Sequence, residues 1–156
     1  MSTEETFEIT STNYAETSRI GQAIGRALKG GETMILVSDL GGGKTALIKS
    51  IVKGAGSEDD VTSPSFTISN QYSAGSLKLH HYDFYRLDEP GIMRSELAEI
   101  LADPEAVVMI EWGDVIEDVL PTDTVKIVIQ VIDQNSRKFR ISAPEKFSYL
   151  TESLSA

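Results

Sequence analysis

Between Val37 and Ala46 the chain reads V-S-D-L-G-G-G-K-T-A, residue types that can together grip a polyphosphate. The first backbone N–H groups of a helix lack intrahelical acceptors and sit at the positive end of its dipole, so they hold anions. Gly41, Gly42 and Gly43 let the backbone wrap closely around such an anion. Lys44 adds a point charge that can reach β- and γ-phosphates, and the Thr45 hydroxyl is placed to ligate magnesium. One position departs from the pattern G-x-x-x-x-G-K-[ST]: Ser38 stands where the first glycine is expected. The amide nest lies mostly downstream, so this departure bears on the tightness of the turn. A glycine-rich strand-to-helix turn with no ligand is the alternative that these residues alone leave open.

Nucleotide hydrolysis also requires an acid near magnesium and the attacking water. Two acids end predicted strands, Asp83 after LKLHHY and Glu111 after VVMI. Glu111 follows the more apolar strand, which favours it for the place beside Thr45. Asp83 is then a second acid, able to hold a metal-bound water or the Thr45 hydroxyl. A strand-end acid also caps turns, and for each residue that reading stands beside the catalytic one. Thr62 and Ser63 follow the phosphate-binding helix, where nucleotide switches place a hydroxyl that senses the γ-phosphate. A plain Ser-Pro turn fits them equally. The N-K-x-D pattern that reads guanine is missing from the later loops, which favours ATP or a base held loosely by stacking.

These residues need a scaffold, and the hydrophobic pattern supplies one. A first strand is expected around Phe7 and Ile9, then a helix opened by Asn13 and Glu16 at capping-box-like spacing. Ile20, Ala23, Ile24, Ala27 and Leu28 form one face of that helix, and Gly30-Gly31 stops it. Met34 to Val37 reads as a strand covered on both faces, leading straight into the glycine loop. The segment from Thr45 to Gly56 is helical, with Leu47, Ile48, Ile51 and Val52 inward and Gly54 as its stop. GSEDDVTSPSF is a surface loop; Phe66 to Tyr72 and Leu77 to Tyr82 form a hairpin across SAG. A helix over Gly91 to Ala102 turns Ile92, Leu97, Ile100 and Leu101 inward, and Val107 to Ile110 is a second fully apolar strand. TVKIVIQVI and RKFRISA pair across DQNS, followed by a short terminal helix. Parallel strands around helices, plus hairpins, make a mixed α/β sheet.

The whole chain fits this plan as one domain over residues 1–156: 40% hydrophobic and 24% charged residues are ordinary globular values. Lys and Arg number 14 against 24 Asp and Glu, a net charge of -10, the wrong sign for holding nucleic acid unaided. With no cysteine there is no disulfide, thiolate nucleophile or cysteine-ligated zinc. His80 and His81 are adjacent, so on a strand they point to opposite faces and do not chelate one metal together. The polar, acidic MSTEETFEIT and the lack of a long apolar run argue against a leader and a membrane span, and for a cytoplasmic protein.

Several segments together resemble one family, the bacterial tRNA threonylcarbamoyladenosine biosynthesis protein TsaE, also called YjeE. LGGGKT, VTSPSF, HHYDFYRL and IEW occur in this order at family-like spacing, with Thr17 and Gly21 in the first helix as a further match. The resemblance spans most of the chain and implies a P-loop NTPase fold with helices on both faces of the sheet. It implies an ATPase, with ATP and magnesium as cofactors, that works with TsaD and TsaB in modifying the adenosine beside the anticodon. ATP turnover would reset that transferase, with tRNA met only indirectly. Carried over by position, Leu40, Gly41, Gly42, Gly43, Lys44, Thr45 and Ala46 would hold the nucleotide, and Thr45 and Glu111 would serve magnesium. Asp83 would support hydrolysis, Thr62 and Ser63 would form a switch-like loop, and Trp112 would lie beside the site. Arg137 matches a basic residue associated with the nucleotide; a solvated hairpin charge is its other reading. By the same resemblance the polar stretch around Tyr14 would lie near the adenine. Two further readings stand beside the partner-stimulated ATPase: a small-molecule kinase, disfavoured by the lack of an arginine-rich lid, and a non-hydrolysing nucleotide-dependent scaffold.

Overall fold

The computed structural model describes residues 4–38, 43–59, 69–84, 91–111 and 120–154. Strand β1 (Glu4–Ser11) leads to helix α1 (Tyr14–Ala27), strand β2 (Thr33–Val37) and helix α2 (Lys44–Gly54). A hairpin of β3 (Ser69–Ala74) and β4 (Leu77–Asp83) follows, then α3 (Gly91–Leu101) and β5 (Ala106–Glu111). The chain finishes with β6 (Val125–Val131), β7 (Arg137–Pro144), a single 3-10 turn and the short α4 (Tyr149–Glu152).

Capping starts α1 where the spacing predicts. Asn13 Oδ1 accepts from the Glu16 amide at 2.9 Å, and Glu16 reaches back to the Thr12 amide at 2.7 Å. Hydrogen bonds from Thr12, its hydroxyl first and then its amide, hold the Glu16 carboxyl below its ordinary range. Two boundaries differ from those the pattern predicts. Of the strand expected from Phe66 to Tyr72, residues 66–68 lie outside the described residues; β3 continues past Tyr72 to Ala74. α2 begins one residue earlier than expected, at Lys44, and ends at the expected Gly54; β7 opens at Arg137, where the segment RKFRISA begins. The side chain of Ile92, expected inward, lies outside the description.

The strands join one sheet in the order β1-β7-β6-β2-β5-β4-β3. β6, β2, β5 and β4 are parallel neighbours; β1 on β7, β7 on β6 and β3 on β4 are antiparallel. A strand's side chains alternate between faces, and this divides the core in two. Met34, Leu36, Leu79, Val107, Met109, Ile127 and Phe139 meet α1, α2 and α4 on one face. Tyr82, Phe84, Val108 and Ile110 gather with Leu97 of α3 on the other. The first layer depends on close helix contact: a Cβ at Gly25 would stand 2.1 Å from the Ile51 carbonyl oxygen, so α1 and α2 pack backbone to backbone.

Glu32 ties the C-terminus to this frame at the end of the sheet away from the glycine loop. Its fully buried carboxylate accepts from the Lys29 and Gly30 amides, each at 2.8 Å, and from the Tyr149 hydroxyl. Burial, and then the bond to Glu32, push the Tyr149 phenol above its usual range. Tyr149→Phe leaves one donor fewer on a buried carboxylate, and a loss of about 1–3 kcal/mol is expected in urea unfolding. No change in the urea midpoint would mean that this bond contributes nothing to stability.

Candidate functional site

Parallel pairing brings the C-terminal ends of β2, β4 and β5 to one edge of the sheet, with Leu36 beside Glu111 and Asp83 beside Glu111 in register. The glycine loop leaves β2 at that edge, so its helix, Asp83 and Glu111 are delivered to one place. This edge is where open α/β sheets bind ligands.

The loop's downstream half is described. Gly43 is the N-cap of α2 with φ of 99°, a left-handed conformation open chiefly to glycine, and it brings no side chain to serve the helix's first amides. Lys44 is buried, and its ammonium donates to Ser38 Oγ at 3.1 Å and to the Ser38 carbonyl at 3.4 Å. Ser38, the residue that departs from the glycine pattern, thus helps to hold the lysine across the loop. A buried charge without such partners would be strongly unfavourable. Thr45 follows in the first turn, half-buried. Leu40, Gly41 and Gly42 lie outside the described residues, as do Thr62, Ser63 and Trp112.

Beside Gly43 opens a pocket of about 200 Å³ lined by Tyr14, Thr17, Ala46, Arg137 and Phe139 among others. Tyr14, 59% exposed, offers it an aromatic face. Thr17 is buried and its hydroxyl lies 2.7 Å from that of Ser11, which fixes the start of α1 against β1. Arg137 Nη1 donates to the carbonyls of Asp133 at 2.8 Å and Ser136 at 3.0 Å. Its Nε comes within 3.8 Å of where a Gly43 Cβ would stand. The guanidinium is therefore seated against the loop, which weakens the reading of it as a solvated hairpin charge. The Asp133 carboxylate takes the Asn135 and Ser136 amides, which lowers its pKa and fixes the turn that carries Arg137.

Every residue of β5 is buried, Glu111 included at 4% exposure. Its Oε2 lies 2.6 Å from Nε2 of His81, itself fully buried. The two histidines do face opposite sides of the sheet. Burial lowers the pKa of His80, on the α3 side, while His81 shares the α2 side with Asp83 and Glu111. Considered only as metal ligands, the adjacent histidines give no hint of this pair. Its signal was present in the strand alternation, since His81 stands two residues before Asp83. Chemically, the edge combines a helix start, a lysine, a hydroxyl and two carboxylates, which are hard oxygen ligands of the type magnesium takes. Among the described residues no group of three or more His, Asp or Glu gathers as a full metal cage.

Residues 11–139 match the family described as Threonylcarbamoyl adenosine biosynthesis protein TsaE. A relative named tRNA threonylcarbamoyladenosine biosynthesis protein TsaE from Bacillus subtilis is 32% identical, over 92% of this chain and 90% of its own. The protein of the same name from Treponema pallidum is 33% identical over 85% of this chain and 97% of its own. The crystal structure of Bacillus subtilis YdiB superposes with a TM-score of 0.77 at 29% identity, covering 98% of this chain and 96% of that one. The seven-stranded mixed sheet, the glycine loop at its parallel edge and these matches lead to one conclusion: the chain belongs to the TsaE family of tRNA threonylcarbamoyladenosine biosynthesis.

Proposed function

We propose that this chain binds and hydrolyses ATP with magnesium, as an accessory protein that resets a TsaB–TsaD transferase between rounds of tRNA modification. The observation that carries the reading is the edge itself: Gly43 left-handed at the start of α2, the Lys44 ammonium turned back to Ser38 at the end of β2, and Asp83 and Glu111 on adjacent strand ends. The residues fit a magnesium nucleotide. Thr45 and Glu111 would hold the ion with few protein ligands, as magnesium sites beside phosphates do. Magnesium, when bound, neutralises charge that develops on the phosphates. Lys44 would pair with the terminal phosphates, while the carboxylate of Asp83 would accept a hydrogen bond from the attacking water and orient it. The pocket of Tyr14 and Arg137 would receive the base, with the ring stacking on it. The net charge of -10 suits docking on a basic, tRNA-binding face of partner proteins.

The test is phosphate release from ATP with and without TsaB and TsaD, for the natural chain and Asp83→Ala. Stimulation by the partners is expected, and Asp83→Ala should slow turnover by about 100-fold while leaving the ATP affinity within about threefold, since it orients water instead of binding phosphate. Partners that give no stimulation would overturn the accessory role. Binding without any hydrolysis would favour the scaffold reading.

A further inference from the structure

His81 is the least explained group in the interior. Its ring is fully buried, Nε2 meets Glu111 Oε2 at 2.6 Å, and Nδ1 is a buried nitrogen with no hydrogen-bond partner among the described residues. A carboxylate oxygen only accepts, so Nε2 carries the proton in this contact. Orphaned buried polar atoms are rare, and a side chain retained despite one calls for an explanation other than ordinary core packing, which an apolar residue would serve better. The ring does not lie among random neighbours. β4 carries His81 and Asp83 on the same face, and its parallel register with β5 sets them beside Met109 and Glu111.

We propose that His81 is the positioning residue of Glu111: its Nε2–H engages one carboxylate oxygen from behind and leaves the other turned to the phosphate loop. The inference rests on the reading of Glu111 as the magnesium-side acid. A carboxylate at the end of a strand can rotate about its last torsion, and an ion that takes few protein ligands depends on each being held in place. Burial at 4% leaves Glu111 little water to satisfy its second oxygen, so the imidazole supplies what solvent does elsewhere. β4 then does two jobs through two residues at strand spacing: Asp83 faces the site, and His81 aims the acid on the neighbouring strand. Partners behind a metal ligand typically contribute 10- to 100-fold in metal affinity or activity.

The experiment follows ATP binding to the full chain by the fluorescence of its single tryptophan as magnesium is varied, for the natural chain, His81→Leu and His81→Gln. His81→Leu is expected to raise the magnesium half-saturation by about 10- to 100-fold, with the magnesium-free affinity for ATP unchanged. His81→Gln, whose amide nitrogen can replace Nε2 as donor, should return it to within about threefold of the natural chain. A purely structural role would lower the unfolding midpoint and leave the half-saturation of the folded protein alone; that result, or equal impairment in both variants, overturns the positioning role. If ATP binding to the natural chain ignores magnesium, the reading of Glu111 fails first and takes the positioning role with it. Should His81→Leu not fold, two-bond proton–nitrogen NMR of the histidine rings in the natural chain decides. A proton on Nε2 that shifts in Glu111→Gln is expected, and Nε2 without a proton overturns the contact.

Discussion

Lys44→Ala is expected to weaken ATP binding by about 100-fold or more, read as the shift of the midpoint in a fluorescence titration. Lys44 is the cation of the loop, and it is buried, so its pairing with phosphate would be screened little by water. A charge-assisted hydrogen bond contributes about 1.5–3 kcal/mol, which alone is one to two orders of magnitude in affinity, and the loss of net charge adds to it. The fold should tolerate the change. The ammonium's two contacts to Ser38 are replaced by water at the loop, and Leu47, Ile48 and Ile51, which anchor α2, are untouched. Unchanged affinity would refute the assignment of the loop to phosphates. Ser38→Gly, which restores the common pattern, removes one of the lysine's acceptors and provides a milder companion.

Glu111→Gln should lower ATP turnover by about 100- to 1000-fold, the range found when one electrostatic stabiliser of a reaction centre is removed. Gln is the informative choice because its carbonyl oxygen can still accept from His81 Nε2 at the position of Oε2. The buried pair keeps its hydrogen bond and the protein its stability, while the negative charge that would hold magnesium is lost. Glu111→Ala is a poorer probe, since it strands the imidazole of His81 in the core with neither nitrogen satisfied. Phosphate release at saturating ATP and magnesium measures the effect. Turnover retained in Glu111→Gln would make this acid a structural partner of His81 and nothing more.

Much of this site was legible in the residues because its chemistry is local. A glycine run followed by Lys44 and Thr45, preceded by an apolar strand and followed by an amphipathic helix, is the pattern expected of a phosphate grip, and the structure has β2 and α2 on either side of it. Asp83 and Glu111 could be picked out as acids at strand ends from the apolar runs before them. That they are neighbours could not, because it depends on β5 being inserted between β2 and β4, a sheet order that no local pattern encodes. Arg137 shows the same limit. Its sequence position allows a solvated turn, and only the packing of the β6–β7 turn against Gly43 sets it by the loop.

The sequence by itself determined the periods and the punctuation: which residues face a core and where helices begin and stop. These follow from bonds and side-chain directions within a few residues of one another. It also carried the family, through motifs spread over residues 11–139. Tertiary structure alone decided that His81 meets Glu111 across two strands, 30 positions apart, and that Glu32 is clamped by Tyr149 from the far end of the chain. Contacts of that kind are set by strand order and register, which arise from the packing of whole faces against one another, and a residue's own neighbours in sequence hold no record of them.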